Sequence, residues 1–257
     1  MRGKLSTKVG MRLIAAVLFD LGGTLFGYER RSEMRRPAAR ALERMGLSAD
    51  DPSVLAARRT ASEQVEREYA SRSFFLHRDL FRDRVARTAA LLSVTAPTEI
   101  LDLFDVENRQ AIIDNLIPRE DARRTLEGLR QRNVYVSVVS NADDDYLEDL
   151  LANHGFDALV DDWTSSETAK SCKPDPLIYE HALSLAGSQA AETLFVGDSL
   201  EHDIAGAHAV GMRTALIGER GTVAPLSHGL DAPVDADFTI RDLAEVLAIV
   251  DRLNGSR

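Results

Sequence analysis

A chain of 257 residues with 44% hydrophobic content can fill one large core or two smaller ones. Its formal net charge of -10 argues against a nucleic-acid partner, since phosphate backbones attract Lys and Arg, and favours a small ligand. Cys172 is the only cysteine, so an intrachain disulfide is excluded and nothing suggests an oxidising compartment.

Residues 1–12 are basic at the start and carry neither helical nor strand period, so they are expected to form a disordered leader, with Met11 a candidate start. The apolar run from Leu13 to Phe19 is too short to span a membrane and runs directly into an acidic sequence, unlike a signal peptide. The expectation is a cytoplasmic protein without a membrane partner. Ile14 to Phe19, bounded by Asp20 and the Gly22-Gly23 turn, predicts a strand buried on both faces. From about Ser32 to Asn115 apolar residues recur at helical spacing, over Ala38–Met45, Val54–Tyr69 and Leu80–Leu92, with breakers at Asp50-Asp51-Pro52 and Ala96-Pro97.

Beyond Pro118 the pattern alternates. Helices are expected at Glu120–Arg132, Asp144–His154, Pro176–Ala186, Ile204–Val210 and Leu243–Leu253. Strands are expected at Val134–Val139, Ala158–Val160, Thr193–Val196, Thr214–Ile217 and Phe238–Ile240. Such alternation implies an α/β fold: a doubly wound, Rossmann-like parallel sheet from 13–29 and 116–257, with a helical cap over 30–115 inserted after the first strand.

Ligands of open α/β sheets bind beyond the carboxyl ends of the strands. Four polar clusters fall there: Asp20 to Thr24, Ser140-Asn141, Lys170 to Asp175, and Gly197 to Asp203. A single Asp after a buried strand could merely cap a helix; four such clusters should converge. As Phe19-Asp20-Leu21-Gly22-Gly23-Thr24-Leu25, Val139-Ser140-Asn141, Lys173-Pro174-Asp175-Pro176 and Gly197-Asp198-Ser199-Leu200-Glu201-His202-Asp203, they resemble in order and spacing the four signature motifs of the haloacid dehalogenase superfamily. The resemblance runs from Leu13 to about Asn254 and is weakest across the helical insert.

The resemblance implies chemistry for particular residues. Asp20 would be a carboxylate nucleophile that forms an aspartyl phosphate, later hydrolysed by water. Thr24 and Ser140 would donate to the transferring phosphoryl oxygens, with backbone N–H groups of Leu21, Gly23 and Asn141 as co-donors. Lys173 would neutralise charge between nucleophile and phosphoryl group; the chain has only four lysines, Lys4, Lys8, Lys170 and Lys173, and Lys173 alone fits the Lys-Pro-Asp-Pro pattern. Asp198, with Asp20 and the Gly22 carbonyl, would hold Mg²⁺, and Asp203 would either join the metal site or pair with the lysine. As a bland alternative, Asp203 is an N-cap for a helix starting near Ile204.

Gly22 departs from the phosphatase pattern, which places a second Asp two residues after the nucleophile to protonate the leaving group. Removing such an acid typically costs about 10²- to 10⁴-fold. His77, the insert's only histidine, is a candidate substitute. Phosphonate-cleaving relatives are disfavoured because the insert contains no lysine. Halide-removing relatives usually lack the full fourth motif, which is intact here. The leading expectation is thus a Mg²⁺-dependent hydrolase of a small anionic phosphorylated substrate; the alternatives are a catalytically degenerate binding protein and a hydrolytic haloacid dehalogenase. From Arg30 to Ala90 fourteen Arg face nine acidic residues in an otherwise acidic chain. Arg30, Arg31, Arg35 and Arg36 are the candidate substrate contacts, in a protein expected to be a monomer or homodimer.

Overall fold

The computed structural model describes residues 14–218 and 234–255; the expected leader lies outside them. The core is a six-stranded, wholly parallel sheet. Its strands are β1 (Ala16–Phe19), β4 (Tyr135–Ser140), β5 (Asp162–Ser165), β6 (Thr193–Gly197), β7 (Arg213–Ile217) and β8 (Phe238–Ile240), in the spatial order β5-β4-β1-β6-β7-β8. The short strands β2 (Phe26–Gly27) and β3 (Ile117–Pro118) pair antiparallel and form a neck through which the chain leaves the core and returns. Between them lie the helices α1 (Arg31–Met34), α2 (Arg36–Arg44), α3 (Pro52–Tyr69), α4 (His77–Leu91) and α5 (Thr98–Asn115).

Side-chain alternation along β1 builds both layers of the core. Val17 and Phe19 pack on one face with Leu126 and Leu129 of α6 (Ala122–Gln131), Leu147 and Leu151 of α7 (Asp144–Asn153), and Val246 and Ile249 of α11 (Glu245–Leu253). Leu18 packs on the other face with Val139, Phe195, and Ile178 and Tyr179 of α9 (Pro176–Ala186). Burying a large aliphatic or aromatic side chain contributes roughly 1.5–3 kcal/mol, so β1, with four buried residues in a row, is firmly anchored, as are β4 and β6 on either side of it. The insert has its own smaller core of Ala41, Leu42, Val54, Val85, Leu101 and Phe104.

Three expectations need correction. The strand expected at Ala158–Val160 lies instead at Asp162–Ser165. Its Asp-Trp-Thr-Ser sequence carries little aliphatic signal, and Thr164 and Ser165 are buried there as the end of an edge strand leading into α8 (Ser166–Ala169). The register is set by Asp161, whose N–H donates to the Val136 carbonyl (2.7 Å) while its carboxylate accepts from the Val136 N–H (2.9 Å). The helix expected from Ile204 begins earlier, as a wide π-helical turn over Leu200–Ala205 that runs into α10 (Gly206–Ala209). Asp203 is not its N-cap: Ser199 is, accepting at Oγ from the His202 N–H at 3.0 Å. Among the described residues no helix is long and apolar enough to cross a membrane.

Candidate active site

Because β1 lies between β4 and β6, the residues that follow these strands meet at one edge of the sheet. Asp20 directly follows β1 and is held by its own N–H, which donates to the Val196 carbonyl at 2.9 Å. Ser140 closes β4, and Asp198 directly follows β6. Lys173 arrives from the loop between α8 and α9. Asn141 fixes that loop with both ends of its amide: Oδ1 accepts from the Lys173 N–H at 2.7 Å, and Nδ2 donates to the Lys173 carbonyl at 3.0 Å. The Asn141 side chain therefore places the lysine.

Lys173 is the electrostatic hub. Its Nζ donates to Asp20 Oδ1 and to Asp203 Oδ1, both at 2.6 Å. The ammonium and the Asp203 carboxylate are each 2% exposed. The other oxygen of Asp203 accepts from the Ser199 N–H at 3.0 Å, so both oxygens of this acid are hydrogen-bonded. Carboxylate oxygens of Asp20, Asp198 and Asp203 lie within 4.8 Å of one another. Burial, reinforced by the Asp203 charge and opposed by Lys173, pushes Asp20 up to about 6. Burial and the charges of Asp20 and Asp203 push Asp198 up to about 8. Burial pulls Lys173 down, but its two carboxylate partners outweigh that and its pKa rises. One ammonium thus serves three crowded acids, and the cluster is short of positive charge.

The turn after Asp20 lets other groups approach. Gly23 adopts φ +94°, and a Cβ there would stand 2.1 Å from Asp198 Oδ2. The Thr24 hydroxyl is fully buried and, among the described residues, has no hydrogen-bond partner. An orphaned buried hydroxyl is costly, and it fits a place where a ligand oxygen belongs. Tyr28 reaches back over this turn; burial, with the charges of Asp20 and Asp198, pushes its pKa up, so the phenol keeps its proton.

The other candidates differ in their surroundings. Arg30, Arg31, Arg35 and Arg36 are all exposed. Arg36 pairs with Glu33 at 2.7 Å, whereas the Arg31 charge acts on Tyr28. His77 is 2% exposed, and burial, with the charges of His202 and Arg84, pushes it down to about 3. A neutral imidazole has no proton to deliver as an acid at neutral pH. The sequence reading missed two residues. Tyr28 lies beyond the first motif and carried no signal. Asp143 immediately precedes the helix expected at Asp144–His154, yet it is 1% exposed and its two oxygens accept from the backbone N–H groups of His77 (2.8 Å) and Arg78 (2.7 Å). A core carboxylate therefore caps α4, whose own N-cap residue Leu76 has no side chain for the purpose.

The fold is thus a doubly wound parallel sheet with a lysine-bridged acid cluster at its carboxyl edge. The model of the haloacid dehalogenase-like hydrolases matches residues 14–211, and the chain belongs to that family. It is 28% identical over 242 residues to a ribulose-1,5-bisphosphate 5-phosphatase of Halopiger xanaduensis, covering 93% of this chain and 100% of the relative. It is 37% identical over 137 residues to the haloacid dehalogenase-like hydrolase domain-containing protein 3 of Bos taurus, where the match spans only 53% of each. Among solved structures, the L-2-haloacid dehalogenase of Xanthobacter autotrophicus superposes with a TM-score of 0.66 at 25% identity, covering 92% of this chain and 98% of that one. The relatives thus include both a phosphatase and a dehalogenase.

Proposed function

We propose that this hydrolase is a Mg²⁺-dependent phosphomonoesterase for a small anionic substrate, with Asp20 as nucleophile. The observation that carries the reading is the charge imbalance around Lys173: three mutually close carboxylates against one ammonium, with Asp198 pushed up to about 8 by burial and by its acidic neighbours. Hydrolytic dehalogenation needs no cation there. A hard divalent cation takes oxygen ligands and commonly one or two carboxylates, which suits Asp20, Asp198 and the Gly22 carbonyl. Asp203, with both oxygens engaged, orients Lys173 rather than binding the ion directly. Bound there, the cation would neutralise charge developing on the transferring phosphoryl group.

The residues of the chain do the rest. Lys173 occupies Oδ1 of Asp20, leaving Oδ2 as the attacking atom. Attack on phosphorus forms an aspartyl phosphate, and the ester oxygen departs with the electron pair of its bond to phosphorus. The Thr24 and Ser140 hydroxyls, the N–H groups of Gly23 and Asn141, and the Lys173 ammonium supply donors for the phosphoryl oxygens. The helical insert serves as a cap over the sheet edge and limits access of water.

Phosphate release from small monoesters, with Mg²⁺ or with EDTA, tests the reading. Release that needs the metal and is lost in Asp20→Asn supports it. Chloride release from 2-chloropropionate in EDTA, without phosphate release from any ester, would replace it with the dehalogenase.

A further inference from the structure

Position 22 lacks the side chain from which an aspartate would serve the leaving group, and another residue fills the space. A Cβ placed on Gly22 would stand 2.3 Å from the Tyr28 hydroxyl oxygen and 3.0 Å from the ring carbon that bears it. In an aspartate, the carboxylate oxygens lie two bonds beyond Cβ, of about 1.5 and about 1.2 Å, hence at roughly the same distance. The phenol oxygen of Tyr28 therefore occupies volume that an aspartate at position 22 would need, and it arrives from six residues further along the chain.

The ring is half-buried against the main core, as a packing residue would be. Its polar end is not explained by packing. The hydroxyl makes no hydrogen bond among the described residues, and it points into the field of Asp20, Asp198 and Asp203. A phenylalanine would fill the same apolar volume, so the hydroxyl adds a donor that packing does not require.

We propose that Tyr28 takes over at the leaving group from the side chain missing at position 22, donating its O–H to the ester oxygen as that oxygen separates from phosphorus. The inference rests on the phosphomonoesterase reading. The new bond is Asp20 Oδ2 to phosphorus; the broken bond is phosphorus to the ester oxygen, which keeps the electron pair. The departing alkoxide takes a proton from water. The hydroxide equivalent left over displaces phosphate from Asp20, so each cycle consumes one water. Tyr28 stabilises the charge on the departing oxygen, and it does so most where that charge is largest, on an alkyl rather than an aryl ester.

The structure also makes positions 22 and 28 interdependent. An aspartate introduced at Gly22 alone would meet the Tyr28 hydroxyl, so the phenol must move to admit it.

The test compares wild type, Tyr28→Phe, Tyr28→Ala, Gly22→Asp and Gly22→Asp/Tyr28→Ala on glycerol 3-phosphate and p-nitrophenyl phosphate, with thermal midpoints as the folding control. Tyr28→Phe should lose about a hundredfold in kcat on the alkyl ester, at least about tenfold more than on the aryl ester, with KM little changed. Gly22→Asp should be weaker than wild type, while the double variant should exceed Tyr28→Ala on the alkyl ester by about tenfold or more. Equal losses on the two esters, or no gain in the double variant, would overturn the role of Tyr28 while leaving the Asp20 reading intact. A wild-type enzyme that releases no phosphate from either ester overturns both together.

Discussion

The carboxyl edge of the sheet and the helical insert use charge in opposite ways. At the sheet edge, Asp20, Asp203 and Lys173 are buried, and a single ammonium holds two carboxylates at 2.6 Å each. In the insert, the arginines lie mostly at the surface and pair with acids of neighbouring helices: Arg40 and Arg44 with Glu107, Arg82 with Asp102 and Asp105, Arg84 with Glu66, Arg87 with Glu68. The Arg excess of the insert, read from the sequence as support for an anionic ligand, belongs in part to ties between helices. Charge balance over a segment says little about a site; burial decides whether a charge is expensive enough to imply a function.

This contrast can be broken most sharply at Lys173. Lys173→Met should abolish activity and destabilise the metal-free protein by about 3–5 kcal/mol, because it strands two buried carboxylates. Added Mg²⁺ should restore part of that loss in a denaturant titration. Stability unchanged by the substitution would mean the cluster is better solvated than its burial indicates.

Thr24→Val should pull stability and activity apart. Removing an orphaned buried hydroxyl should leave stability unchanged or raise it by about 1 kcal/mol, while phosphate release falls about tenfold or more. A destabilised variant would reveal a partner for the hydroxyl in the free protein.

Asp143 stands between the two regimes, as a core carboxylate that holds the insert. Burial pushes it up to about 6, against the backbone N–H groups of His77 and Arg78, which favour its ionised form. The folded state keeps this proton up to about pH 6, whereas an unfolded Asp releases it near pH 4, at about 3.9. The folded state therefore binds more protons in that window, and the contribution of this group to stability declines as pH rises from about 4 to about 6. Thermal midpoints of Asp143→Asn should show a shallower decline over that range than wild type; an identical profile would place the titration elsewhere. The smallest effect is expected at the surface. Arg40→Ala should cost no more than about 1 kcal/mol, shrinking further in high salt, with turnover unchanged.

Some elements were legible because their signals are local. α9 runs from Pro176 to Ala186, as expected, since Asp175 caps it, Pro176 opens it and Gly187 ends it in the left-handed region. β8 was legible from Phe238 and Ile240, which alternate with Thr239 between polar neighbours. β5 was not, because an edge strand whose residues are Asp, Trp, Thr and Ser shows no period that distinguishes it from a loop. The neck of β2 and β3 was missed for a related reason: each strand has two residues, one of them Pro118, and only their pairing across about ninety residues of insert defines them.

The sequence by itself determined the parallel α/β architecture and the set of polar residues at the strand ends, because both depend on periodicity and on motifs contiguous in the chain. Tertiary structure alone decided that Asn141 positions Lys173, that Asp203 bonds both Lys173 and the Ser199 N–H, that Asp143 caps α4 and that Tyr28 fills the space beside Gly22. Each of these is a contact between residues brought together only when β1 is packed between β4 and β6 and the insert closes against them. Spacing along a chain determines which face of an element a residue lies on, but not what meets it there.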